Sequence, residues 1–297
     1  MKTRILYGKP VAEKIIRKLA RTVDEITKQN IRPPGLGIIH AGFDPASRIY
    51  IKNKQQVAQA SGFYVEILEP DNENQLFDAI EYMNRSSQID GFIVQLPLPP
   101  LWNIDAVLEK IEPSKDADGF HPLNSGRIMA GQNGILPATP AGILSLLAYY
   151  GISTSGKHVV IAGRSRIVGR PLSVWLSANH PQGNATVTLI HSRTLNPENY
   201  IRQADIFVSA VGKPHIWKLK HFKPGAVVVD VGINRCGERL CGDVDSEGLE
   251  GFVSAITPVP GGVGPMTVAS LIRNVWLLYK RYFLATPGFF NNGKTGV

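Results

Sequence analysis

Hydrophobic and polar positions alternate along this chain with two different periods. Five apolar residues near its start share one helical stripe: Val11, Ile15, Leu19, Val23 and Ile26. Their spacing predicts an amphipathic helix over residues 10–29. Three short, almost continuous apolar runs follow, over residues 35–41, 64–68 and 91–96. Runs of this length are typical of strands that are buried on both faces of a parallel sheet.

Cap and turn signals add further elements. Asp44-Pro45 combines an N-cap with a first-turn proline and predicts a helix through about residue 60. Thr139-Pro140 predicts a second capped helix that runs towards Tyr150, and an apolar stretch over about 267–285 predicts the last one. Four more strand-like runs cover residues 158–162, 186–191, 206–211 and 227–231.

The alternation of strands and helices predicts an α/β protein with parallel sheets. We expect two open α/β domains that flank a cleft, the second of them Rossmann-like. With a boundary near residue 138, the first domain comprises residues 1–138 plus 271–297, and the second comprises residues 139–270.

Composition narrows the class of protein. The chain has 297 residues, 43% of them hydrophobic, and is long enough for two domains. Its 32 basic and 24 acidic side chains give a net charge of +8, but the basic residues are spread along the sequence. This spread favours an acidic small molecule, while nucleic acid and a membrane surface stay open as partners. No stretch approaches the roughly 20 apolar residues of a membrane span, and the N-terminus lacks the apolar core of a signal peptide, so we expect a cytoplasmic protein.

The two cysteines, Cys236 and Cys241, flank the sequence Gly-Glu-Arg-Leu. If Glu238 and Arg239 form a tight turn, the two thiols face each other across a hairpin, where a disulfide is sterically feasible. No ligand-spaced cysteine or histidine lies nearby in the sequence, which argues against zinc. Two ordinary thiols in a reducing compartment are the favoured interpretation.

A segment rich in proline and glycine precedes the last predicted helix. Between Pro258 and Thr267 the chain reads Pro-Val-Pro-Gly-Gly-Val-Gly-Pro-Met-Thr. Proline fixes φ and removes an N–H donor, whereas glycine permits positive φ. We therefore expect a shaped loop whose backbone can approach a ligand closely.

The sequence after the strand-like run 158–162 points to a nucleotide. Gly163-Arg-Ser-Arg-Ile-Val-Gly-Arg-Pro171 turns into a helix, and a glycine turn before a helix N-terminus is an anion site. The spacing is not that of G-x-G-x-x-G. The next strand-like run ends in Ser192-Arg193-Thr194 rather than in the acidic residue typical of NAD sites. A hydroxyl and a guanidinium suit a 2′-phosphate and favour NADP, with a solvated basic turn as the alternative.

Three polar residues of the first half are candidates for chemistry. Tyr50 and Lys54 share a helix face, although such a pair is commonly a surface feature. Short-chain dehydrogenases also contain Tyr-x-x-x-Lys, but they place it after the nucleotide motif, which is the reverse of the order here. Gln95 ends a predicted strand, where α/β proteins bind ligands, or it is a satisfied buried amide. Asp118 before Gly119 is either a turn former or a ligand acceptor.

Taken in order, five segments resemble the family of bifunctional methylenetetrahydrofolate dehydrogenase/cyclohydrolases, and the similarity covers nearly the whole chain. The segments are Tyr50-Ile-Lys-Asn-Lys54, Val94-Gln-Leu-Pro-Leu-Pro99, Lys115-Asp-Ala-Asp-Gly-Phe120, Gly163 to Pro171 and Pro258 to Thr267. The resemblance implies NADP-dependent oxidation of 5,10-methylenetetrahydrofolate to the methenyl cation, followed by hydrolysis to 10-formyltetrahydrofolate in the same cleft. It also implies a homodimer and a folate substrate that carries polyglutamate, with no metal.

The resemblance assigns roles residue by residue. Lys54 is the proton-transfer group, Gln95 its hydrogen-bonding partner, Tyr50 a stacking surface for folate and Asp118 an acceptor for the pterin N–H groups; these four form the catalytic set. The implied substrate-binding residues are Tyr50, Ile51, Lys52, Asn53, Lys54, Val94, Gln95, Leu96, Asp118, Pro260, Gly261, Gly262, Val263 and Gly264. The cofactor residues, with Arg193 added from the strand-end argument, are Gly163, Arg164, Ser165, Ser192, Arg193 and Ile233.

Two departures from the family pattern leave this set untouched. The usual cysteine of Pro-Cys-Thr-Pro is Ala138 here, so no cysteine at that position is required for the chemistry. Tyr7 precedes Gly8-Lys9 where the family commonly has aspartate. A monofunctional dehydrogenase of the same fold and a nucleic-acid-binding protein remain as alternatives; the second predicts strongly salt-dependent affinity.

Overall fold

The computed structural model describes residues 2–42, 45–237 and 239–285. The predicted N-cap Asp44, the turn residue Glu238 and the tail from Thr286 lie outside these ranges. The described strands are β1 (Arg4–Ile5), β2 (Gly35–His40), β3 (Tyr64–Leu68), β4 (Gly91–Gln95), β5 (His158–Ala162), β6 (Thr186–Ile190), β7 (Ile206–Ser209), β8 (Val227–Asp230), β9 (Asn234–Cys236), β10 (Arg239–Cys241) and β11 (Ala255–Ile256).

The helices carry the chain between these strands. They are α1 (Gly8–Thr27), α2 (Pro45–Ala60), α3 (Glu73–Arg85), α4 (Ile104–Lys110), α5 (Pro122–Met129), α6 (Ala138–Tyr149), α7 (Gly169–Ser177), α8 (Pro197–Ile201) and α9 (Val263–Tyr279). A short 3₁₀ segment covers Leu219–His221, and a π-helical turn covers Lys280–Leu284. None of the described helices combines the length and hydrophobicity that a bilayer crossing demands.

The chain forms two compact units. One comprises Met1–Ile15 with Ser125–Ser270, and the other comprises Ile16–Asn124 with Leu271–Val297. We call the first the nucleotide unit, because it contains the predicted nucleotide motif at residues 163–171, and the second the lysine unit, because it contains Lys54.

The lysine unit is built on a three-stranded parallel sheet in the order β3-β2-β4. Its central strand β2 is buried along its whole length, as the continuous apolar run predicts. One side of the sheet packs on α3 and α4 through Ile39, Ile80, Phe92 and Val107. Gly37 sits where a side chain would collide with Met83 and Phe92, so the sheet and α3 approach closely there.

The nucleotide unit contains a six-stranded parallel sheet in the order β1-β11-β8-β7-β5-β6. Its core is aromatic on one side, where Phe207, Trp217 and Phe222 pack together. β9 and β10 form a separate antiparallel hairpin. β1 and β11 were not anticipated, because two-residue strands are too short to show a period.

Several helix boundaries differ from the predictions. α9 begins at Val263 rather than near residue 267, so half of the proline- and glycine-rich segment is already helical. α6 begins at Ala138 with no side-chain cap, and the Thr139 hydroxyl instead lies 3.1 Å from the Thr267 hydroxyl. α5 begins at Pro122, shortly after Asp118 and Gly119.

Candidate active site and cofactor site

A lysine and a glutamine meet at the carboxyl end of the lysine unit's sheet. α2 carries Lys54 and β4 ends in Gln95, and the Lys54 ammonium donates a 2.8 Å hydrogen bond to the Gln95 Oε1. The amide nitrogen of Gln95 donates to the Leu96 carbonyl at 2.6 Å, which leaves Oε1 turned towards the lysine. The structure therefore brings together two residues that are 41 positions apart and that the family resemblance pairs.

Burial shifts the pKa values of Lys54 and of the nearby Asp118. Desolvation lowers the pKa of Lys54 below its usual value, and the negative charge of Asp118 opposes that shift in part. Desolvation also raises the pKa of Asp118 to about 6, against the opposing effect of Lys54. Both groups therefore exchange protons closer to neutrality than exposed side chains of their type.

The segment that carries Asp118 is fixed against β4. The Phe92 amide donates to the Lys115 carbonyl at 2.8 Å, and the Ala117 amide donates to the Phe92 carbonyl at 3.2 Å. From α9, the Asn274 side-chain nitrogen donates to the Ala117 carbonyl at 3.0 Å. The residues just before Asp118 thus pair with the edge strand β4 through an isolated parallel β-bridge between Phe92 and Asp116. This backbone pairing sets the position of the Asp118 carboxylate.

The neighbouring Asp116 organises the rest of the loop and was not predicted as a functional residue. It is buried, and its carboxylate accepts from the backbone N–H groups of Phe120 and His121 and from the side chain of Asn124, at 2.8–3.2 Å. Its burial raises the pKa of this carboxyl above its usual value. The only sequence signal was its place in Asp-Ala-Asp, which does not distinguish the structural aspartate from the one near the lysine.

The remaining first-half candidates divide by burial. Tyr50 is 44% exposed and lies one helical turn from Lys54, so its ring is open to a ligand. Lys52 and Asn53 are also exposed, whereas Ile51 is buried. Val94 is buried in β4 behind Gln95, and Leu96 is half-buried just after it.

In the nucleotide unit, the turn after β5 makes a tight backbone cradle. Gly163 has φ of 115°, which L-residues rarely adopt, and a Cβ there would overlap the Ala210 carbonyl. A Cβ at Gly169, the first residue of α7, would overlap the Gly163 carbonyl. The Ser165 hydroxyl accepts from the Val168 amide at 3.1 Å, and Arg164 is exposed beside it. A glycine turn that leads directly into a helix N-terminus fits the diphosphate of a dinucleotide.

The turn after β6 lies next to this cradle. The Gly163 amide donates to the Ile190 carbonyl at 2.9 Å, which joins the ends of β5 and β6. His191 and Thr194 close the turn through a 2.9 Å bond from the His191 amide to the threonine hydroxyl. Ser192 and Arg193, which lie within that turn, are exposed. The hydroxyl and the guanidinium, with no carboxylate in the turn, fit a 2′-phosphate and hence NADP.

The whole proline- and glycine-rich segment, Pro258 to Thr267, belongs to the nucleotide unit, which ends at Ser270. Gly261 has φ of 104°, and its carbonyl accepts a 2.9 Å bond from the Gly8 amide. A Cβ at Gly8 would overlap the Gly262 carbonyl, which explains the glycine at the start of α1. Ile233, exposed after β8, lies near this segment, because a Cβ added at Gly264 would be 3.8 Å from the Ile233 Cδ1.

A buried aspartate that the sequence analysis missed holds the loop after β7. The Asp243 carboxylate accepts from the amides of Val211, Gly212 and Lys213 at 2.9–3.3 Å and from the Ser209 hydroxyl at 2.8 Å. Five donors in total, with the Asn234 side chain, satisfy its charge in a fully buried position. The sequence offers no local signal for this, because four of its five partners lie 30 to 34 residues away.

The cysteines differ from the expectation of two ordinary thiols. Cys236 and Cys241 form a disulfide across the β9-β10 hairpin, with 6.0 Å between their Cα atoms. The ladder pairs Cys236 with Arg239 and Cys241 with Asn234, so the turn falls one residue earlier than predicted. This register puts the cysteines diagonally on one face, where a disulfide forms readily.

Two α/β units, each built on a parallel sheet, one with a dinucleotide cradle and one with a half-buried lysine held by an amide, define a nucleotide-dependent enzyme of two domains. Comparison with known proteins gives the family. The chain belongs to the tetrahydrofolate dehydrogenase/cyclohydrolase family: residues 6–118 match its catalytic domain and residues 137–283 match its NAD(P)-binding domain.

Relatives cover almost the whole chain. It is 45% identical over 278 residues to the bifunctional protein FolD of Acetivibrio thermocellus, covering 92% of this chain and 96% of that one. Identity to the bifunctional protein FolD of Bacillus cytotoxicus is 48% over 274 residues, covering 91% and 94%.

Solved structures agree. The bifunctional enzyme FolD of Campylobacter jejuni superposes with a TM-score of 0.89 at 39% identity, over 94% of this chain and 99% of that one. The Trypanosoma brucei enzyme, complexed with NADP cofactor and an inhibitor, gives 0.89 at 34% identity, over 95% and 98%. These matches confirm the family, the fold class, the two activities and NADP as predicted from the sequence.

Proposed function

We propose that this protein oxidises 5,10-methylenetetrahydrofolate to the methenyl form with NADP and then hydrolyses it to 10-formyltetrahydrofolate, with Lys54, Gln95, Asp118 and Tyr50 as the residues that act on folate. The observation that carries the assignment is the 2.8 Å hydrogen bond from the Lys54 ammonium to Gln95. In a chain of this family, a half-buried lysine with a lowered pKa beside a strand end is the group suited to move protons.

The two reactions ask different things of these residues. Hydride loss leaves a cation that the folate nitrogens stabilise, so the dehydrogenase step needs positioning more than acid or base. NADP supplies the hydride acceptor when bound. Tyr50 stacks on the folate and Asp118 accepts from its pterin N–H groups, which together fix the reacting carbon.

The hydrolysis depends on proton transfer. Water adds to the methenyl carbon and loses a proton, and the bond to one ring nitrogen breaks as that nitrogen is protonated. The amine of Lys54 takes the first proton in its neutral form, which its lowered pKa makes more populated near pH 7. Gln95 accepts a hydrogen bond from Lys54 and so orients the lone pair.

NADP is held by the nucleotide unit. Gly163 and Ser165 offer the backbone cradle for the diphosphate, Arg164 adds positive charge, and Ser192 and Arg193 bind the 2′-phosphate. Ile233 forms an apolar contact with the cofactor. The close backbone approach at Gly163 and Gly169 supports this arrangement, because any side chain there would fill the turn.

The functional division of the chain is also proposed. Residues 1–138 plus 271–297 bind folate and carry the catalysis, and residues 139–270 bind NADP. Ile51, Lys52, Asn53, Val94 and Leu96 complete the folate-binding set. The positive φ of Gly261 allows the backbone of the segment 260–264 to approach a ligand closely.

The wider setting follows from the reaction. 10-Formyltetrahydrofolate supplies one-carbon units, so we propose a place in one-carbon metabolism with purine biosynthesis as one consumer. We further propose a cytoplasmic homodimer that acts on polyglutamylated folate and binds neither nucleic acid nor membranes.

The test measures both steps on purified protein. Methenyl and NADPH formation report the dehydrogenase, and decay of the methenyl absorbance reports the cyclohydrolase. Lys54→Met removes the amine but keeps an apolar chain of similar length, so hydrolysis should fall by at least about 100-fold, the lower end of what a general base contributes, while some oxidation or folate binding persists. Lys18→Met, at an exposed position of α1, is the control and should leave both rates unchanged.

Hydrolysis at the wild-type rate by folded Lys54→Met protein would refute the role of the lysine. Oxidation without hydrolysis in the unmutated protein would instead favour the monofunctional alternative.

A further inference from the structure

A cluster outside the proposed active and cofactor sites brings one histidine to the two cysteines. One ring nitrogen of His215 and the sulfur atoms of Cys236 and Cys241 lie within 4.8 Å of one another. His215 precedes Cys236 by 21 residues, a spacing that hid it from the sequence analysis. These three residues are called the Cys-His cluster.

Backbone pairing builds the cluster. Because residues on a strand alternate in direction, the pairing of Cys236 with Arg239 puts Cys236, Arg239 and Cys241 on one face of the hairpin. The His215 amide donates to the Gly242 carbonyl at 3.2 Å, which ties the histidine to the end of β10. His215 itself has φ of 52°, a conformation that non-glycine residues adopt infrequently. The imidazole is thus held beside the sulfur atoms by its own backbone.

We propose that the Cys-His cluster is a binding site for a thiophilic divalent cation of the Zn²⁺ class when its disulfide is reduced. Two thiolates and one imidazole are the donors such ions prefer, with a fourth position left for water or a small ligand. In a tetrahedral site with metal–sulfur bonds near 2.3 Å, the donor atoms lie about 3.5–3.8 Å apart. The three donor atoms lie within 4.8 Å of one another, so side-chain rotation is what must bring them to that spacing once the sulfur–sulfur bond is broken.

The chemistry of loading balances without an unnamed reagent. A dithiol reductant transfers two electrons and two protons to the disulfide, giving two thiols and an oxidised reductant. The cation then displaces both thiol protons, so the two thiolate charges neutralise it while His215 stays neutral.

Exposure supports entry of an ion. His215 and Cys236 are exposed, whereas Cys241 is buried at the base of the cluster. The site is therefore open on one side and anchored on the other. The cluster is also anchored by its surroundings: two residues after Cys241, the Asp243 carboxylate accepts hydrogen bonds from the loop after β7.

Co²⁺ is the probe that reports this geometry, since tetrahedral thiolate coordination gives visible absorption and a thiolate-to-cobalt charge-transfer band. The full-length protein is reduced, freed of reductant without oxygen and titrated with Co²⁺. We expect both signals, saturating at one equivalent and displaced by Zn²⁺, and we expect neither in oxidised protein. Cys236→Ser and Cys241→Ser should lose the charge-transfer band.

Histidine variants and alkylation complete the test. His215→Ala should weaken Co²⁺ binding by about tenfold or more, because one of three ligands is lost; His221→Gln, outside the cluster, should not. Alkylated wild-type protein, which needs no folding of a variant, should give no signal. The proposal is overturned if reduced protein shows no thiolate–cobalt band, or if His215→Ala binds as tightly as the wild type.

Discussion

Lys54 and Asp118 show how burial prepares side chains for chemistry near neutral pH. Desolvation disfavours the charge on each, lowering the pKa of the lysine and raising that of the aspartate, and their mutual attraction opposes both shifts. Gln95 is a neutral hydrogen-bond acceptor, so it binds the Lys54 ammonium without adding negative charge beside it. A carboxylate in its place would favour the protonated lysine and suppress the base.

The raised pKa of Asp118 predicts a pH limit on folate binding. Only the ionised carboxylate accepts from two pterin N–H groups, so protonation below about pH 6 should remove binding. We expect the KM for 5,10-methylenetetrahydrofolate to rise as the pH falls through that value, approaching about tenfold per pH unit. Steady-state kinetics across this range measure it.

Asp118→Asn should have a high KM at every pH, without the acid limb. Asp78→Asn, exposed on α3, is the control and should keep the wild-type profile. A KM that stays flat through pH 6 in the wild type would contradict this role of Asp118.

Among the elements, β2 carries an unusual residue at its end. His40 is buried, its Nδ1 lies 3.4 Å from a carboxylate oxygen of the exposed Glu69, and its Nε2 has no hydrogen-bond partner in the described part of the chain. In the ladder it stands opposite Gln95, so both side chains point to the same face of the sheet. The strand therefore keeps a polar atom that costs stability.

His40→Leu should stabilise the protein. The substitution removes a buried unsatisfied nitrogen and leaves an apolar side chain, and we expect the free energy of unfolding to rise by about 1–2 kcal/mol. Urea unfolding at pH 7 measures it. Glu69→Gln alters only the exposed partner and should change stability by less than about 0.5 kcal/mol. A loss of stability in His40→Leu would show that Nε2 is satisfied.

The loop before α5 depends on Asp116 in the same way that a helix depends on its cap. Asp116→Ala leaves the backbone N–H groups of Phe120 and His121 without an acceptor and the Asn124 side-chain nitrogen with only the Pro113 carbonyl. The free energy of unfolding should therefore fall by about 2–4 kcal/mol, and folate affinity should fall because the chain beside Asp118 loses its support. Asp116→Asn keeps one acceptor and should cost less. Denaturation and KM measurements on both variants test this, and equal stability of Asp116→Ala and wild type would rule it out.

In the whole molecule, both units use the same rule for ligands. Gln95 ends β4, Gly163 follows β5 and Ser192 follows β6, so each candidate site lies at the carboxyl ends of parallel strands. Strand ends are where loops of free composition meet a rigid sheet, and they hold polar groups that the sheet interior cannot accept. On the proposed assignment of Gln95, Gly163 and Ser192, both activities use this shared geometry.

Ligand-induced stabilisation tests the cofactor assignment on the intact protein. NADP at 100 times its dissociation constant should add about 2.7 kcal/mol, seen as a higher melting temperature, and NAD at equal concentration should add less. Arg193→Ala should narrow the difference, whereas Arg202→Ala, exposed outside the turn, should not. An oligonucleotide should give no shift; stabilisation by it that weakens with salt would favour the nucleic-acid alternative.

Much of the fold followed from short-range patterns. Seven of the predicted strands occur within two residues of their expected ends, because a buried parallel strand needs a continuous apolar run that the sequence must spell out. The shared helix face of Tyr50 and Lys54 followed from helix periodicity. The turn after β5 followed from the conformational freedom of glycine.

The sequence by itself therefore determined the elements, the family resemblance and the residue types at each strand end. The family resemblance already implied the pair of Lys54 and Gln95. Tertiary structure alone decided which other distant groups meet, namely Asp243 with the loop after β7 and His215 with the hairpin cysteines. The reason is physical. Local patterns record which residues must be buried, but the partner of a buried charge or thiol is chosen by strand order and register, which no local pattern encodes.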